Sequence, residues 1–250
     1  MMNSRLPPGA ASGLRFPSPL REGVVLSRPN RFIMMVRAGG KELRCHCPTT
    51  GRLGSLDVAG LPCLYSTSKS SKRKTRHTVE AISTSPESRG SWVGINQTAA
   101  NRYFEHFLKG GALSRLAAGD VRREVRLGKS RIDFLVGNTF IEVKTPLITL
   151  PSSPRVRKKA ASRFDSFDRL IKHMNELRES LGNGGRAAIV LCYLYDAKPF
   201  NPPKMDRTNS KILDAARRAE LAGVERWQVN MGIDRNGVSL IRYFRSRPYT

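Results

Sequence analysis

The sequence is short of acidic residues, of cysteine and of long apolar runs, and each shortage excludes a class of protein. It contains 20 acidic residues against 44 basic ones, which gives a net charge of +24. The positive charges repel one another, and a bound polyanion relieves this repulsion. The four cysteines show no disulfide framework and no secretory signal pattern accompanies them, which argues against a secreted, disulfide-linked domain. No apolar run is long enough to cross a bilayer.

The basic residues are spread along the whole chain, and this distribution bears on the kind of partner. A membrane-surface protein concentrates basic residues beside an apolar helix, whereas a distributed excess suits a phosphate backbone. We therefore expect DNA and/or RNA as the partner, bound mostly through phosphates, and no membrane association. An anionic membrane surface, an acidic protein or a ribosome-associated role are the alternatives that the charge leaves open.

The N-terminal segment contains Arg, Ser, Pro and Gly but no acidic residue before position 22. Its prolines argue against an amphipathic helix, so we interpret residues 1–13 as a disordered extension. The cysteine pattern predicts a reducing, cytoplasmic location. A transit peptide, and therefore an organelle, is the alternative interpretation of this segment.

Short strands separated by turn residues are predicted over roughly residues 20–96. Several short strands with turns between them are typical of a small all-β barrel or sandwich. The predicted strands are 31–36, 42–47, 61–66, 78–83 and 91–96.

From about residue 97 the pattern changes to helices mixed with strands, which predicts an α/β domain. A basic, proline-containing loop is predicted at 151–162. The predicted helices are 99–116, 164–181 and 211–222, and the predicted strands are 121–127, 131–136, 139–144, 186–194, 227–231 and 238–244.

Asp133, Glu142 and Lys144 lie on two strands that a Gly137-Asn138 turn joins into a hairpin. Side chains alternate along a strand, so Glu142 and Lys144 share one face, and the turn brings Asp133 opposite them. Two converging carboxylates repel each other unless they bind a hard cation such as Mg²⁺. The carbonyl of Val143 is a candidate further ligand. The alternative is an ordinary hairpin with a solvated polar face.

Motifs along most of the chain carry a resemblance to a known family. The spacing of Asp133, Glu142 and Lys144 resembles the PD-(D/E)XK nuclease superfamily, and the whole set is similar to the sugar fermentation stimulation protein family (SfsA). The motifs are Phe16-Pro-Ser-Pro-Leu20, Arg28-Pro-Asn-Arg-Phe32, His46-Cys-Pro-Thr-Thr-Gly51, Ser66-Thr-Ser68, Lys72-Arg-Lys74, Val93-Gly-Ile-Asn96, Ala100-Asn-Arg102, Ser130-Arg-Ile-Asp-Phe134, Ile141-Glu-Val-Lys144, Lys172-His173, Glu176-Leu177, Gly185-Arg-Ala187 and Gly223-Val-Glu225.

The resemblance implies an α+β chain, with an OB-like nucleic-acid-binding barrel over 14–96 and an α/β PD-(D/E)XK nuclease-like domain over 97–250. It implies Asp133, Glu142 and Lys144 as catalytic residues, with Mg²⁺ or Mn²⁺ as cofactor. Glu105 is either an additional metal carboxylate or a solvated helix residue. The implied function is phosphodiester hydrolysis in DNA or RNA. The alternative is a DNA-binding regulator of sugar-utilisation genes whose nuclease-like domain is inactive.

Two segments depart from the family's usual pattern. The chain has Thr49-Thr50-Gly51 where the family usually has Asn-Thr-Gly, and residues 162–170 lack the family's usual text before Lys172-His173. The second departure follows the catalytic strand, so it bears on how a nucleic-acid strand is engaged.

Basic clusters are candidates for phosphate contact. Aromatic residues for base stacking are few, and we expect core roles for most of Phe32, Tyr65 and Trp92, which predicts backbone binding with little sequence readout. Alternation puts Cys45 and Cys47 on one strand face and His46 on the other, which is poor geometry for zinc. The candidate phosphate-binding residues are Lys69, Lys72, Arg73, Lys74, Arg76, Arg126, Lys129, Arg131, Lys158, Lys159, Arg169, Lys172 and His173.

Overall fold

The computed structural model describes residues 13–49, 53, 57–84, 91–147, 150, 168–207 and 209–247. The helices are α1 (Gln97–Lys109), α2 (Asp168–Ser180) and α3 (Ser210–Leu221), and a 3₁₀ turn spans Leu181–Asn183. The strands are β1 (Leu14–Arg15), β2 (Arg21–Asn30), β3 (Ile33–Ala38), β4 (Lys41–His46), β5 (Pro62–Thr67), β6 (His77–Ser83), β7 (Trp92–Gly94), β8 (Val121–Leu127), β9 (Ser130–Val136), β10 (Thr139–Lys144), β11 (Arg186–Tyr193), β12 (Glu225–Ile233) and β13 (Gly237–Arg245).

Strands β2 to β6 form a closed, OB-like barrel. Strand β2 pairs with β3 and β5, while β4 pairs with β3 and, in parallel, with β6, so that five strands close on themselves. Strand β7 extends the sheet beyond β6. Met34, Val36, Cys45 and Cys47 fill the barrel interior and are fully buried. The predicted barrel is confirmed.

The second sheet has seven strands in the order β1-β13-β12-β11-β10-β9-β8. Strands β10, β11 and β12 run parallel to one another, and the remaining pairs are antiparallel. Alternate residues of β11 face opposite ways: Ala188 and Val190 join a core with α1, whereas Ala187 and Ile189 join a core with α2 and α3. Helices therefore cover both faces, and the predicted α/β domain is confirmed.

The barrel and the second sheet share their apolar cores. Leu64 and Ala81 of the barrel pack into the core that contains α1, and Tyr193 at the end of β11 packs into the barrel core. The amide of Gly94 donates to the carbonyl of Leu194 over 2.8 Å. A Cβ at Gly94 would stand 2.5 Å from the Leu194 Cβ, so this contact between the two sheets requires glycine.

Several element boundaries differ from the sequence predictions. Helix α1 ends at Lys109, before the predicted residue 116, because two glycines follow and Gly111 takes a φ of +72°. Strand β1 lies in the second sheet, paired with β13, although we expected residues from 14 onward in the barrel. The start of the predicted helix 164–181 lies outside the described residues, as does the predicted loop 151–162. No helix in the described part of the chain is long and apolar enough to cross a membrane.

Candidate metal and catalytic centre

Asp133 lies where the β9–β10 ladder ends. The two strands pair from Thr139 opposite Val136 to Ile141 opposite Phe134. Beyond this ladder the backbone amide of Val143 on β10 donates to the side chain of β9 instead of to its backbone: the acceptor is the Oδ2 of Asp133, at 2.8 Å. The strand edge thus holds this carboxylate in a fixed place.

Helix α1 supplies the second donor to Asp133. The Asn101 side-chain amide donates to Oδ1 over 2.8 Å, so both carboxylate oxygens are oriented. On the other side of β9, Glu124 has a φ of +53°, which is rare for a residue with a side chain. The regular backbone is therefore interrupted on β8 beside the segment that carries Asp133.

Glu142 is the most buried carboxylate of the centre, with 3% of its surface exposed. Its Oε1 accepts from the Lys144 Nζ at 2.6 Å and lies 2.5 Å from the Nδ1 of His173 on α2. Its Oε2 is also buried and has no hydrogen-bond partner among the residues that the structure describes. One oxygen is thus held by two donors, and the other is left for a cation or a further donor.

The two carboxylates differ in their pKa shifts. Burial raises the pKa of Asp133, and the nearby Glu142 charge raises it further, against the opposing effects of the Val143 amide, Lys144 and Asn101. Burial also raises the pKa of Glu142, but the hydrogen bonds from His173 and Lys144 outweigh it and the pKa falls. Glu142 is therefore held as a carboxylate, and its charge disfavours the ionised form of Asp133. A bound cation would remove this conflict.

The donor set suits a hard divalent cation that keeps several waters. Mg²⁺ is commonly bound through one or two carboxylates, with water completing the coordination. Within the described ranges no cluster of three or more His, Cys, Asp or Glu side chains is suited to a metal. Asp133 and Glu142, whose Oε2 is buried without a hydrogen-bond partner among the described residues, are the candidate side-chain ligands. The structure shows the amide of Val143 bound to Asp133, and the role of its carbonyl stays a prediction.

Glu105 does not contact this pair of carboxylates. Its two oxygens meet Lys109 at 2.8 Å and Arg123 at 3.1 Å. The α1 residue that contacts Asp133 is Asn101, one helical turn earlier. Of the two interpretations of Glu105, the structure favours the one that leaves it out of the metal site, as an ion-paired residue on the helix surface.

His173 was predicted among the phosphate-binding residues, and the structure places it inside the protein beside Glu142. The side chain is buried, with 3% of its surface exposed, and its Nδ1 is committed to Glu142. Its neighbour Lys172 is exposed, and the Lys172 Nζ donates to the carbonyl of Lys129 at 3.1 Å. The helical pattern carried this signal, because His173 lies one turn from the buried Leu177.

Replacing His173 with alanine is expected to lower the free energy of unfolding by about 1–3 kcal/mol. The Glu142 Oε1 would lose one of its two donors while remaining buried. Urea unfolding measures the change. His173→Asn keeps a donor near the Nδ1 position and should recover part of the loss. An unchanged free energy of unfolding in His173→Ala would contradict the role of the Glu142 contact.

The candidate phosphate-binding residues that the structure describes, apart from the buried His173, fall into two exposed groups, called here the hairpin surface and the barrel loop. The hairpin surface joins β8, β9 and α2, since Lys172 donates to the Lys129 carbonyl and the Lys129 amide donates to Glu176. Lys158 and Lys159 lie outside the described residues. The hairpin surface consists of Arg126, Lys129, Arg131, Arg169 and Lys172, and the barrel loop, between β5 and β6, of Lys69, Lys72, Arg73, Lys74 and Arg76.

Two family models match the chain and together cover most of it. The SfsA N-terminal OB domain matches residues 26–95, and the sugar fermentation stimulation protein RE domain matches residues 98–237. The boundary between the matches falls at the start of α1, where the barrel ends and the α/β part begins.

Curated relatives match over nearly their full length. A sugar fermentation stimulation protein homolog of Alcanivorax borkumensis is 33% identical over 222 residues, covering 85% of this chain and 90% of the relative. A homolog of Teredinibacter turnerae is 32% identical over 219 residues, covering 84% and 89%.

A solved structure shares the fold. The structure of Pyrococcus furiosus SfsA in complex with Ca²⁺ matches with a TM-score of 0.73 and 24% identity, over 96% of this chain and 100% of that one. The family models and the curated relatives show that the chain belongs to the sugar fermentation stimulation protein family.

Proposed function

We propose that the protein binds nucleic acid and hydrolyses its phosphodiester bonds with Mg²⁺ or Mn²⁺. The observation that carries the proposal is the buried Oε2 of Glu142, which no described residue hydrogen-bonds. The second carboxylate of the centre, that of Asp133, lies nearby. The Pyrococcus furiosus relative was solved with Ca²⁺, another hard divalent cation. It supports the proposal of a divalent-cation site in this chain.

The roles of the chain's own residues follow from their contacts. A divalent cation held by Asp133 and Glu142 would polarise a phosphoryl oxygen and lower the pKa of a bound water. Lys144 lies 2.6 Å from Glu142 with 28% of its side chain exposed, so its ammonium can reach a substrate while remaining anchored. It would orient the attacking water or stabilise charge that develops on the phosphoryl group. Asn101 and His173 would hold the two carboxylates in position.

The basic surfaces would hold the substrate by its phosphates. The hairpin surface extends from the strand that carries Asp133, so a backbone lying across it would approach the centre. The barrel loop offers a second set of exposed cations. We also propose a reducing, cytoplasmic setting, supported by four cysteines that are all buried and free.

The test is cleavage of end-labelled single- and double-stranded DNA and RNA by the purified full chain, with Mg²⁺, Mn²⁺ or EDTA. We expect cleavage of at least one substrate with either metal and none with EDTA. Binding of these substrates without cleavage under any metal would contradict the enzyme and support the alternative, a DNA-binding regulator with an inactive site. Cleavage that persists in EDTA would contradict the metal centre.

A further inference from the structure

Phe32 is an aromatic ring that the fold leaves in solvent. The residue is 46% exposed, and none of the other large exposed hydrophobic residues in the described part of the chain is aromatic. Tyr65 is buried and Trp92 packs against the core with α1. An exposed phenyl ring forgoes the free energy of burial, so a rigidly presented one calls for an explanation.

The backbone around Phe32 is fixed by three hydrogen bonds. Its amide donates to the Asn30 side chain at 2.9 Å, and its carbonyl accepts from the Cys47 amide at 2.7 Å. The Arg28 guanidinium donates to the Arg31 carbonyl at 2.9 Å, which holds the turn between β2 and β3. The exposed ring therefore lies on a turn whose backbone is held by hydrogen bonds, at one end of the barrel.

The surroundings of the ring are cationic. The Arg31 guanidinium carbon lies 4.6 Å from the Phe32 ring centroid. Ile33, the next residue, pairs with His46, and His46 pairs in turn with Thr78, to whose hydroxyl Arg73 donates at 3.3 Å. Two strand spacings, about 10 Å, thus separate the turn from the barrel loop. An aromatic ring and several phosphate-binding cations lie within reach of one short oligonucleotide.

We propose that Phe32, with Arg31 beside it, is a stacking site for a nucleobase of a single strand whose phosphates contact the barrel loop. Stacking on an aromatic ring accepts any base, because every base has a π face, and the neighbouring cations hold the backbone. The inference rests on the proposed nucleic-acid binding and adds a base contact to it. It agrees with the expectation of binding mostly through phosphates with little sequence readout, because stacking does not select a base.

The test compares two fluorescent oligomers of equal length, oligothymidylate and its abasic sugar-phosphate counterpart, by anisotropy in EDTA with the full chain. The abasic oligomer keeps the phosphates and lacks the bases. Wild-type protein should bind the thymidylate oligomer about 5- to 100-fold more tightly. Phe32→Ala should lose most of this preference with little change for the abasic oligomer, and Phe32→Trp should keep it. Val24→Ala, which trims an exposed side chain on β2, is the matched control.

The outcomes separate this inference from the function on which it rests. If wild-type protein binds both oligomers equally and with a steep salt dependence, phosphate binding stands and the stacking site is overturned. If Phe32→Ala weakens both oligomers by the same factor, or neither, Phe32 has no stacking role. If wild-type protein binds neither oligomer, both proposals fail. Circular dichroism of each variant establishes that it is folded.

Discussion

Glutamine in place of Glu142 is expected to lower metal-dependent cleavage by at least about 10²- to 10³-fold. The amide keeps the shape of the side chain and an oxygen for Lys144 and His173, but it removes the negative charge that a cation requires. Lys144→Met, which keeps the apolar stem and removes the ammonium, should have an effect of similar size. Single-turnover rates with saturating Mg²⁺ measure both variants.

The controls for this prediction carry the same chemical changes elsewhere. Glu22→Gln alters an exposed carboxylate on β2, and Lys41→Met alters an exposed lysine at the β3–β4 turn. Both should cleave at the wild-type rate. If Glu142→Gln cleaved at the wild-type rate, the activity would arise from another site or from another protein in the preparation.

Raising the salt concentration from roughly 50 to 200 mM is expected to weaken nucleic-acid binding by about 10³- to 10⁵-fold, if 6–10 phosphates are contacted. The physical reason is the release of counterions from the phosphates that Lys and Arg neutralise. The chain carries a net charge of +24, and both basic surfaces are exposed. Anisotropy titrations at five or six salt concentrations give the slope of log K against log salt.

A triple variant localises this salt effect. Glutamine at Lys72, Arg73 and Lys74 should reduce the magnitude of the slope by roughly 2–3, about one for each lost phosphate contact. The control removes the same charge from α3, with glutamine at Lys211, Arg217 and Arg218, and should leave the slope nearly unchanged. Equal slopes for the wild type and the barrel-loop variant would remove that loop from the interface.

The sequence predicts the Asp133, Glu142 and Lys144 arrangement because short-range rules determine it. A two-residue turn joins two adjacent strands, and alternation then decides which side chains share a face. The barrel strands after residue 31 are also predictable, since each is a short apolar segment between turn residues. Strand β2 is less marked, because it contains Pro29 and few apolar residues.

The partners of the carboxylates could not be predicted, because they depend on tertiary packing. Asn101 and His173 are separated from Asp133 and Glu142 by 32 and 31 residues. Asn101 and Glu105 are one helical turn apart on α1. Which of them contacts Asp133 depends on the position of α1 along the sheet, which the sequence pattern does not give. The exposure of Phe32 could not be predicted for a related reason. Strand alternation places Phe32 on the same face as the buried Met34 and Val36, but Phe32 lies in the turn before β3, where the alternation does not hold.

The pairing of β1 with β13 has a consequence for how the chain can be divided. Residues 14–15 complete the edge of a sheet whose other strands begin only at residue 121, so the barrel sequence lies between two parts of that sheet. A fragment that starts at residue 97 would leave the backbone groups of β13 open to pairing with another copy. The barrel and the α/β part are therefore better studied within the intact chain than as separately expressed fragments.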